Sequence, residues 1–345
     1  MLPITATAAK QGKKPVRAAT SQAALPGPDY GQRLDAMQTA DDIALRHQID
    51  VHRVREVLGQ ARYVAAIAKA VTPPAVGVAK NWRLYRSRFI EPLRIGAGVA
   101  FWQTHRDTLR RAEQETGVPT EIIVGILGVE TIYGQQMGNF RVIDALATLA
   151  FDFPASHPRA TERSAYFRTE LEQFLSWTLN SGRDPLTFKG SYAGAMGLPQ
   201  FMPSSWVKYA VDFDGDGLVD LQNSPADAIG SVANYLKFFN WQPGLPTHFP
   251  LSFDESRLDM ATLMAPDILP TFSVENFQAK GVVLSGEALK HTGKLALIEL
   301  QNGDAAPSYV AGTDNFYAIT RYNWSSYYAL AVIELGQAVA QAMRP

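Results

Sequence analysis

Glu130 is the ionisable residue whose sequence surroundings point most directly to chemistry. It lies in Gly125-Ile-Leu-Gly-Val-Glu-Thr-Ile-Tyr-Gly134, near the end of an apolar stretch with helical spacing. Apolar packing and the negative end of a helix dipole both disfavour a carboxylate there, so we expect its pKa to be raised. A carboxylic acid protonated near neutral pH can donate a proton to a leaving-group oxygen, as glycosidic bond cleavage requires. A partly solvated glutamate or half of an ion pair is the alternative.

A second pattern of chemical interest is an alternation of aspartate and glycine in Asp212-Phe-Asp-Gly-Asp-Gly-Leu. The alternating carboxylates and Gly217 match the first half of an EF-hand loop, which binds calcium. Asn223 occupies the twelfth position, where an EF-hand has glutamate, so a later aspartate would have to close a longer loop. The predicted calcium ligands are Asp212, Asp214, Asp216, the carbonyl of Leu218, and Asp227. A solvated acidic turn is the alternative, although three carboxylates this close repel one another unless a cation compensates them.

A third pattern combines small residues with hydrogen-bonding side chains. It extends from Gly190 to Trp206 and includes Ser191, Tyr192 and Gln200. Glycine and alanine let the backbone approach a ligand closely, and the polar side chains supply hydrogen bonds. The segment therefore indicates the wall of a cleft. A tight loop between packed helices explains the small residues equally well, and the two interpretations are compatible.

Composition limits the function classes that these patterns can serve. The 345 residues are 46% hydrophobic and 19% charged, with a formal net charge of −1. No global field attracts nucleic acid or an acidic membrane. The chain has no cysteine, which excludes disulfides, thiolate metal sites, a cysteine nucleophile and a lipidated N-terminal cysteine. An arginine-rich stretch from Asn81 to Arg94 fits a solvated face, with contact to an anionic polymer as the alternative.

Hydrophobic periodicity and the positions of glycine and proline divide the chain into successive regions. A helix is predicted to begin at Pro119 or Thr120 and to carry Glu130, and another is predicted to begin near Pro203. Short strands are predicted after Gly281 and after Lys294, whereas residues 315–324 suggest a strand or loop before a helix that starts near Ser326. The predicted regions are a flexible segment (1–30), a helical domain (31–117), a core domain (118–241), a small β domain (242–314) and a C-terminal segment that returns to the core (315–345).

Two features of the chain bear on export. The first ten residues lack both a basic region and an apolar run of the length found in secretory signals. No stretch approaches the roughly 20 apolar residues that a membrane-spanning helix needs. We therefore expect a soluble protein which, if it is exported, has had its signal sequence removed.

Four motifs occur in a fixed order along the chain. They are Gly128-Val-Glu-Thr-Ile-Tyr-Gly, Phe140-Arg-Val-Ile-Asp-Ala-Leu-Ala-Thr-Leu-Ala-Phe-Asp-Phe-Pro, Ser191-Tyr-Ala-Gly-Ala-Met-Gly and Gln200-Phe-Met-Pro-Ser-Ser. Together they resemble the lytic murein transglycosylase B family. The resemblance extends from about Phe89 through Tyr235, resumes at Arg321-Tyr-Asn-Trp-Ser-Ser-Tyr-Tyr-Ala, and covers about half of the chain. Leu198-Pro199 precede Gln200 where some members have Tyr-Gly, a departure that removes no catalytic group.

The resemblance implies an α+β, mainly α fold. Its lysozyme-like core would carry an EF-hand-like calcium loop and be flanked by an N-terminal helical domain and a small β domain. It implies that Glu130, as the single acid and then base, cleaves the β-1,4 bond between N-acetylmuramic acid and N-acetylglucosamine in peptidoglycan and leaves 1,6-anhydromuramoyl ends. The sugar contacts or supports that it implies are Ser191, Gln200, Tyr235, Tyr322, Asn323, Tyr328 and Tyr133.

We expect calcium to have a structural role and expect no organic cofactor. The expected partners are peptidoglycan glycan strands, with other cell-wall enzymes as further candidates and no nucleic acid. The expected form is a monomer in the periplasm. Two other functions stay open from the sequence. One is a lysozyme-type hydrolase that pairs Glu130 with Asp144 or Asp152, and the other is a non-catalytic, calcium-stabilised peptidoglycan-binding protein.

Overall fold

A computed structural model describes residues 30–72 and 80–344 of the chain. The predicted flexible segment, apart from Tyr30, lies outside these described residues. The α-helices of the described part are α1 (Leu34–His47), α2 (Val51–Gly59), α3 (Ala65–Ala70), α4 (Trp82–Arg86), α5 (Pro92–Thr104), α6 (Arg106–Thr116), α7 (Thr120–Thr131), α8 (Val142–Phe151), α9 (Ala160–Asn180), α10 (Pro203–Tyr209), α11 (Pro225–Phe238), α12 (Met260–Met264), α13 (Val274–Ala279), α14 (Asp314–Thr320) and α15 (Ser326–Ala342). None of them has the length and apolar character needed to cross a membrane.

The strands are short and form three small antiparallel sheets, so the fold is α+β and mainly α. They are β1 (Phe140–Arg141), β2 (Lys189–Gly190), β3 (His248–Phe249), β4 (Ser252–Phe253), β5 (Val282–Val283), β6 (Ala296–Asn302) and β7 (Ala305–Gly312). The strand orders are β1-β2, β3-β7-β6 and β4-β5. In the first sheet Phe140 is opposite Gly190. This pair joins the segment after α7 to the start of the small-residue segment (190–206), which we call the small-residue loop.

Helix α7 is buried nearly all round because its residues from Ile122 to Gly128 are small or apolar on every face. It packs against α15 at two glycines. A β-carbon on Gly125 would collide with the carbonyl oxygen of Val332, and one on Gly336 would collide with the carbonyl oxygen of Glu121. This close backbone approach fixes α15 across α7 and brings the two helix ends that carry Glu130 and Tyr328 together.

The segment from 248 to 312 contains a hydrophobic cluster of its own, which includes Phe249, Leu263, Phe277 and Leu297. The strands predicted after Gly281 and after Lys294 are confirmed as β5 and β6. Helices α12 and α13 also lie in this segment and were not predicted. The division of the chain into domains stays a prediction.

The prediction of a strand or loop over residues 315–324 is wrong for its first part. Asp314–Thr320 form α14, whose N-terminus is capped by the Thr313 side chain, which accepts from the Asn315 N–H. Phe316 and Ile319 are both buried, at helical spacing. The helix is stabilised by this cap and by tertiary burial, which outweigh the strand preference of a short aromatic run.

Candidate active site

Glu130 is the penultimate residue of α7, which begins at Thr120 with Pro119 at its N-cap, as predicted. The helix ends because Ile132 and Tyr133 both adopt left-handed backbone conformations, with φ of 51° and 56°. The Glu130 side chain keeps partial solvent access, yet the protein surrounds its carboxyl group closely. Burial raises the pKa of Glu130 from 4.5 to about 7, and a hydrogen bond from Tyr328 opposes that rise. The carboxyl group can therefore gain or lose a proton near neutral pH.

Tyr328 is the direct partner of the glutamate. Its hydroxyl donates to Glu130 Oε1 at 2.6 Å. Tyr328 is buried near the start of α15, where Ser325 caps the helix and accepts from the Tyr328 N–H at 3.3 Å. Burial, with a contribution from the charge of Glu130, holds the pKa of Tyr328 well above its usual range. At neutral pH the tyrosine is thus a fixed hydrogen-bond donor.

Two further tyrosines continue from Tyr328 along the site. The rings of Tyr322 and Tyr328 stack at a centroid distance of 6.3 Å, and Tyr235 lies 4.8 Å from Tyr322. Tyr322 donates to the carbonyl oxygen of Pro199 at 2.5 Å, and Tyr235 donates to that of Arg321 at 2.6 Å. The row brings α11, the end of the small-residue loop and the start of α15 to the same side of Glu130.

Gln200 and Ser191 hold the small-residue loop in shape. Gln200 has a φ of 50°, and its side-chain nitrogen donates to the carbonyl oxygens of Met137 and Gly197 at 3.1 and 3.0 Å. The Ser191 hydroxyl accepts from two N–H groups of its own loop, at Ala193 and Ala195. These bonds order the backbone beside the helix that carries Glu130, as the tight-loop interpretation predicts, and the wall of a cleft stays a prediction.

The remaining two predicted contacts occupy different environments. Asn323 is exposed next to Tyr322, and its side chain makes no hydrogen bond within residues 30–72 and 80–344. Tyr133 is directed away from the row of Tyr328, Tyr322 and Tyr235. Its ring stacks on Phe101 at 5.2 Å, and β-carbons added at Gly98 or Gly128 would collide with its hydroxyl. Tyr133 is thus enclosed between α5 and α7 and does not join the tyrosine row.

The two aspartates considered as a second acid are engaged elsewhere. Asp144 pairs with Arg141 at 2.7 Å, and Asp152 pairs with Arg33 at 2.7 Å and accepts from the Tyr30 hydroxyl. Neither forms a hydrogen bond with Glu130, and the raised pKa of Glu130 arises from burial rather than from a neighbouring carboxylate. The described part of the site therefore contains one acid with a perturbed pKa and no acidic partner bonded to it.

Two residues that the sequence patterns did not single out, Tyr85 and Arg94, lie close to Glu130. Tyr85 on α4 has a raised pKa because of burial and, second, because of the nearby charge of Glu130. Arg94, whose side chain is only 11% exposed, donates through Nη1 to the carbonyl oxygens of Gly128 and Val129 at the end of α7. This contact suits the negative end of the helix. Both residues belong to the arginine-rich stretch, whose abundance of charge predicted a solvated face.

The acidic loop brings three carboxylates together. Oxygen atoms of Asp212, Asp214 and Asp227 lie within 4.8 Å of one another. Asp227 is buried and accepts from the N–H groups of Phe213 and Asp220, both at 2.7 Å. No lysine or arginine forms an ion pair with the three in the part of the chain that the structure describes. Such a set of oxygen ligands fits a hard cation such as calcium.

The other two predicted ligands lie at the edge of this group. The Asp216 carboxylate accepts from the Leu218 N–H at 2.8 Å and is outside the set of three. The Leu218 side chain is exposed, and its carbonyl belongs to the same turn. Gly215 and Gly217 have φ values of 80° and 89°, which let the chain turn sharply between the aspartates.

Comparison with known proteins places the chain in a family. The model of the transglycosylase SLT domain matches residues 32–337. The membrane-bound lytic murein transglycosylase B of Escherichia coli K12 is 40% identical over 338 residues, which cover 92% of this chain and 85% of that protein. The structure of Escherichia coli lytic transglycosylase Slt35 in complex with calcium has a TM-score of 0.78 and 40% identity, covering 92% of this chain and 96% of that chain.

A more distant solved structure contains a peptidoglycan fragment. SltB3 from Pseudomonas aeruginosa in complex with NAG-anhNAM-pentapeptide has a TM-score of 0.73 and 29% identity, covering 89% of this chain and 80% of that chain. The Slt35 matches also support the lysozyme-like, mainly helical fold class expected from the sequence motifs. The chain therefore belongs to the transglycosylase SLT domain family, and it is similar to lytic transglycosylases of that family over nearly its whole length.

Proposed function

We propose that this protein cleaves the β-1,4 bond between N-acetylmuramic acid and N-acetylglucosamine in peptidoglycan and forms 1,6-anhydromuramoyl ends. The observation that carries the proposal is the single carboxyl group of Glu130, with a pKa of about 7 and a hydrogen bond from Tyr328. A catalyst that must act first as an acid and then as a base needs a pKa near the working pH. The ligand of the SltB3 complex, NAG-anhNAM-pentapeptide, supports an anhydro product.

In the first step, the protonated Glu130 donates its proton to the glycosidic oxygen as the bond from that oxygen to the muramoyl C1 breaks. In the second step, the Glu130 carboxylate takes the proton of the C6 hydroxyl of the same muramoyl residue, and that oxygen forms the new bond to C1. No water is consumed and Glu130 ends protonated. An oriented intramolecular nucleophile can reach an effective molarity of about 10⁵ M, which favours ring closure over attack by water.

Tyr328 has two effects in this cycle. As a fixed donor it stabilises the carboxylate that forms after the first proton transfer, and it keeps the pKa of Glu130 from rising further. The other carboxylate oxygen, Oε2, has no hydrogen-bond partner among residues 30–72 and 80–344 and would face the substrate. We assign the stacked Tyr322 and the exposed Asn323 next to it as sugar contacts.

The other predicted residues divide by their contacts. Ser191 and Gln200 would present the small-residue loop to the sugar while holding its backbone, and Tyr235 would support Tyr322 from behind. For Tyr133 we propose a supporting role only, because its hydroxyl is packed between helices.

We propose a structural calcium ion at the acidic loop, held by Asp212, Asp214 and Asp227 with further oxygens from Asp216 and the Leu218 carbonyl. The spacing of the three carboxylates supports it, as does the calcium complex of Slt35. When bound, the ion would offset the repulsion among the aspartates and order the loop before α11.

We also propose action on glycan strands in the periplasm, because the relatives are lytic murein transglycosylases and murein lies in that compartment.

The test is digestion of purified sacculi followed by mass spectrometry of the released fragments. The wild-type protein should release anhydromuropeptides, and Glu130→Gln should lower the rate by at least about 10³-fold, since it removes proton transfer in both steps. Glu121→Gln, at the opposite end of the same helix, is the matched control and should retain activity. Fragments heavier by one water would instead establish hydrolysis, and undiminished release by Glu130→Gln would refute the assignment.

A further inference from the structure

A groove of about 300 Å³ lies between α4 and the start of α15. It is lined by Lys80, Leu84, Tyr85, Arg88, Ser325 and Tyr327, among others. The rings of Tyr85 and Tyr327 meet edge to face at a centroid distance of 5.8 Å and form its aromatic wall. Leu84 is 58% exposed and adds an aliphatic surface beside these rings. We call this surface the Tyr85 groove.

The groove adjoins the catalytic candidate. Tyr85 lies close enough to Glu130 for the charge of the glutamate to act on its phenol group. On the other wall, Ser325 caps α15 and bonds to the backbone of Tyr328, whose hydroxyl reaches Glu130. A substrate that places its scissile bond at Glu130 therefore has this groove at its side. The Tyr85 hydroxyl makes no hydrogen bond to another described residue and is free to bond a ligand.

The charge of the groove has one sign. Lys80 and Arg88 are the ionised side chains of its lining, and neither forms an ion pair with an acid in residues 30–72 and 80–344. Arg86, the last residue of α4, differs from them because it pairs with Glu334. The ammonium group of Lys80 lies 6.0 Å from the Tyr327 ring centre. Two unpaired cations on an aromatic and aliphatic surface suit a ligand with carboxylates on a partly apolar chain.

We propose that the Tyr85 groove binds the carboxylates of the stem peptide that extends from the muramoyl residue. This inference rests on the proposed function, because that function puts the muramoyl C1 at Glu130. The lactyl peptide of the same sugar then leaves the glycan close to the bond that breaks. Stem peptides carry free carboxylates, whereas the sugars of the intact glycan backbone carry none once the lactyl groups are amide-linked. Lys80 and Arg88 would thus favour a stem peptide with free carboxylates over the same peptide with its carboxyl groups amidated.

The proposal is tested by calorimetric binding to the full chain with Glu130→Gln, which prevents turnover. The probes are a GlcNAc-MurNAc-tetrapeptide and the same fragment with its carboxyl groups amidated. We expect the charged fragment to bind about ten-fold more tightly, from about three-fold for each exposed cation. When Lys80→Gln and Arg88→Gln are both introduced into the Glu130→Gln protein, this preference should disappear. Arg83→Gln, an exposed arginine of α4 outside the groove lining, is the matched control and should retain it.

Raising the salt concentration should reduce the preference, because the cations are exposed. Equal binding of the two fragments, or a preference that survives the paired substitution, would overturn the proposal. The paired substitution should not weaken binding of an uncharged chitin tetrasaccharide. If it weakened that binding as much as binding of the charged fragment, the groove would be assigned to sugar and the proposal would be overturned. Each of these results leaves the sacculus digestion unaffected, so failure of the peptide assignment is distinct from failure of the proposed reaction.

Discussion

Replacing Glu130 by glutamine should abolish activity and at the same time stabilise the protein at neutral and alkaline pH. The pKa of Glu130 is raised from 4.5 to about 7 by burial, so the folded state holds this proton more tightly than the unfolded state does. The contribution of the group to stability is complete below pH 4.5 and is lost as the pH rises through 7. A pKa rise of this size corresponds to roughly 3 kcal/mol at full deprotonation.

The assay is thermal unfolding of both proteins between about pH 4 and pH 8.5, a range that spans both pKa values. Glutamine has nearly the same shape and can still accept from the Tyr328 hydroxyl, so the two proteins should unfold together at the acidic end. At the alkaline end the variant should melt on the order of 5 °C higher. Glu255→Gln, an exposed glutamate with no ion pair in the described structure, is the control and should show no such divergence. A Glu130→Gln difference that is constant with pH would refute a buried, proton-binding glutamate.

The other predictions concern the partner, the helix crossing and the metal. Tyr328→Phe removes the hydrogen bond that lowers the pKa of Glu130. The alkaline limb of the pH–rate profile should therefore move up by about 1 to 2 pH units, the size expected for a charge-assisted bond. An alkaline limb that does not move would contradict this role of Tyr328. Gly125→Val should destabilise the fold by at least about 3 kcal/mol in chemical denaturation, because its side chain meets the Val332 backbone, and a loss below about 1 kcal/mol would contradict the close crossing. Calcium should raise the melting temperature of the wild type and not that of Asp227→Asn; equal responses would contradict the ligand set.

Sequence reasoning succeeded where the decisive information is local. The start of α7 at Thr120 follows from the preceding proline and from apolar residues on all faces, and the raised pKa of Glu130 follows from that same burial. Likewise, Pro203 begins α10 as predicted. A helix can be predicted from its own residues, without knowledge of its neighbours, when nearly all of its surface is apolar.

Sequence reasoning failed where distant segments decide the outcome. The capping residue of α14, Thr313, is held by the carbonyl oxygens of Pro246 and Thr247, which are 67 and 66 residues earlier in the chain. Tyr133 stays a predicted sugar contact or support, but the direction of its ring could not be predicted from the motif that it shares with Glu130. Two left-handed residues after α7 instead turn its ring toward Phe101. Such reversals of direction follow from backbone conformations that aromatic residues seldom adopt.

The contact between α7 and α15 links stability to chemistry. Gly125 and Gly336 permit a backbone approach that larger residues would prevent, and this approach sets the position of Tyr328 relative to Glu130. A second carboxyl group beside Glu130 would share proton transfer with it. The group that is hydrogen-bonded to Glu130 is instead the phenol of Tyr328, which stays protonated. The proposed reaction uses the carboxyl group of Glu130 twice, first to give a proton to the glycosidic oxygen and then to take a proton from the nucleophile. The same carboxylate can activate either the C6 hydroxyl of the muramoyl residue or water, and the mass of the released fragments decides between these two reactions.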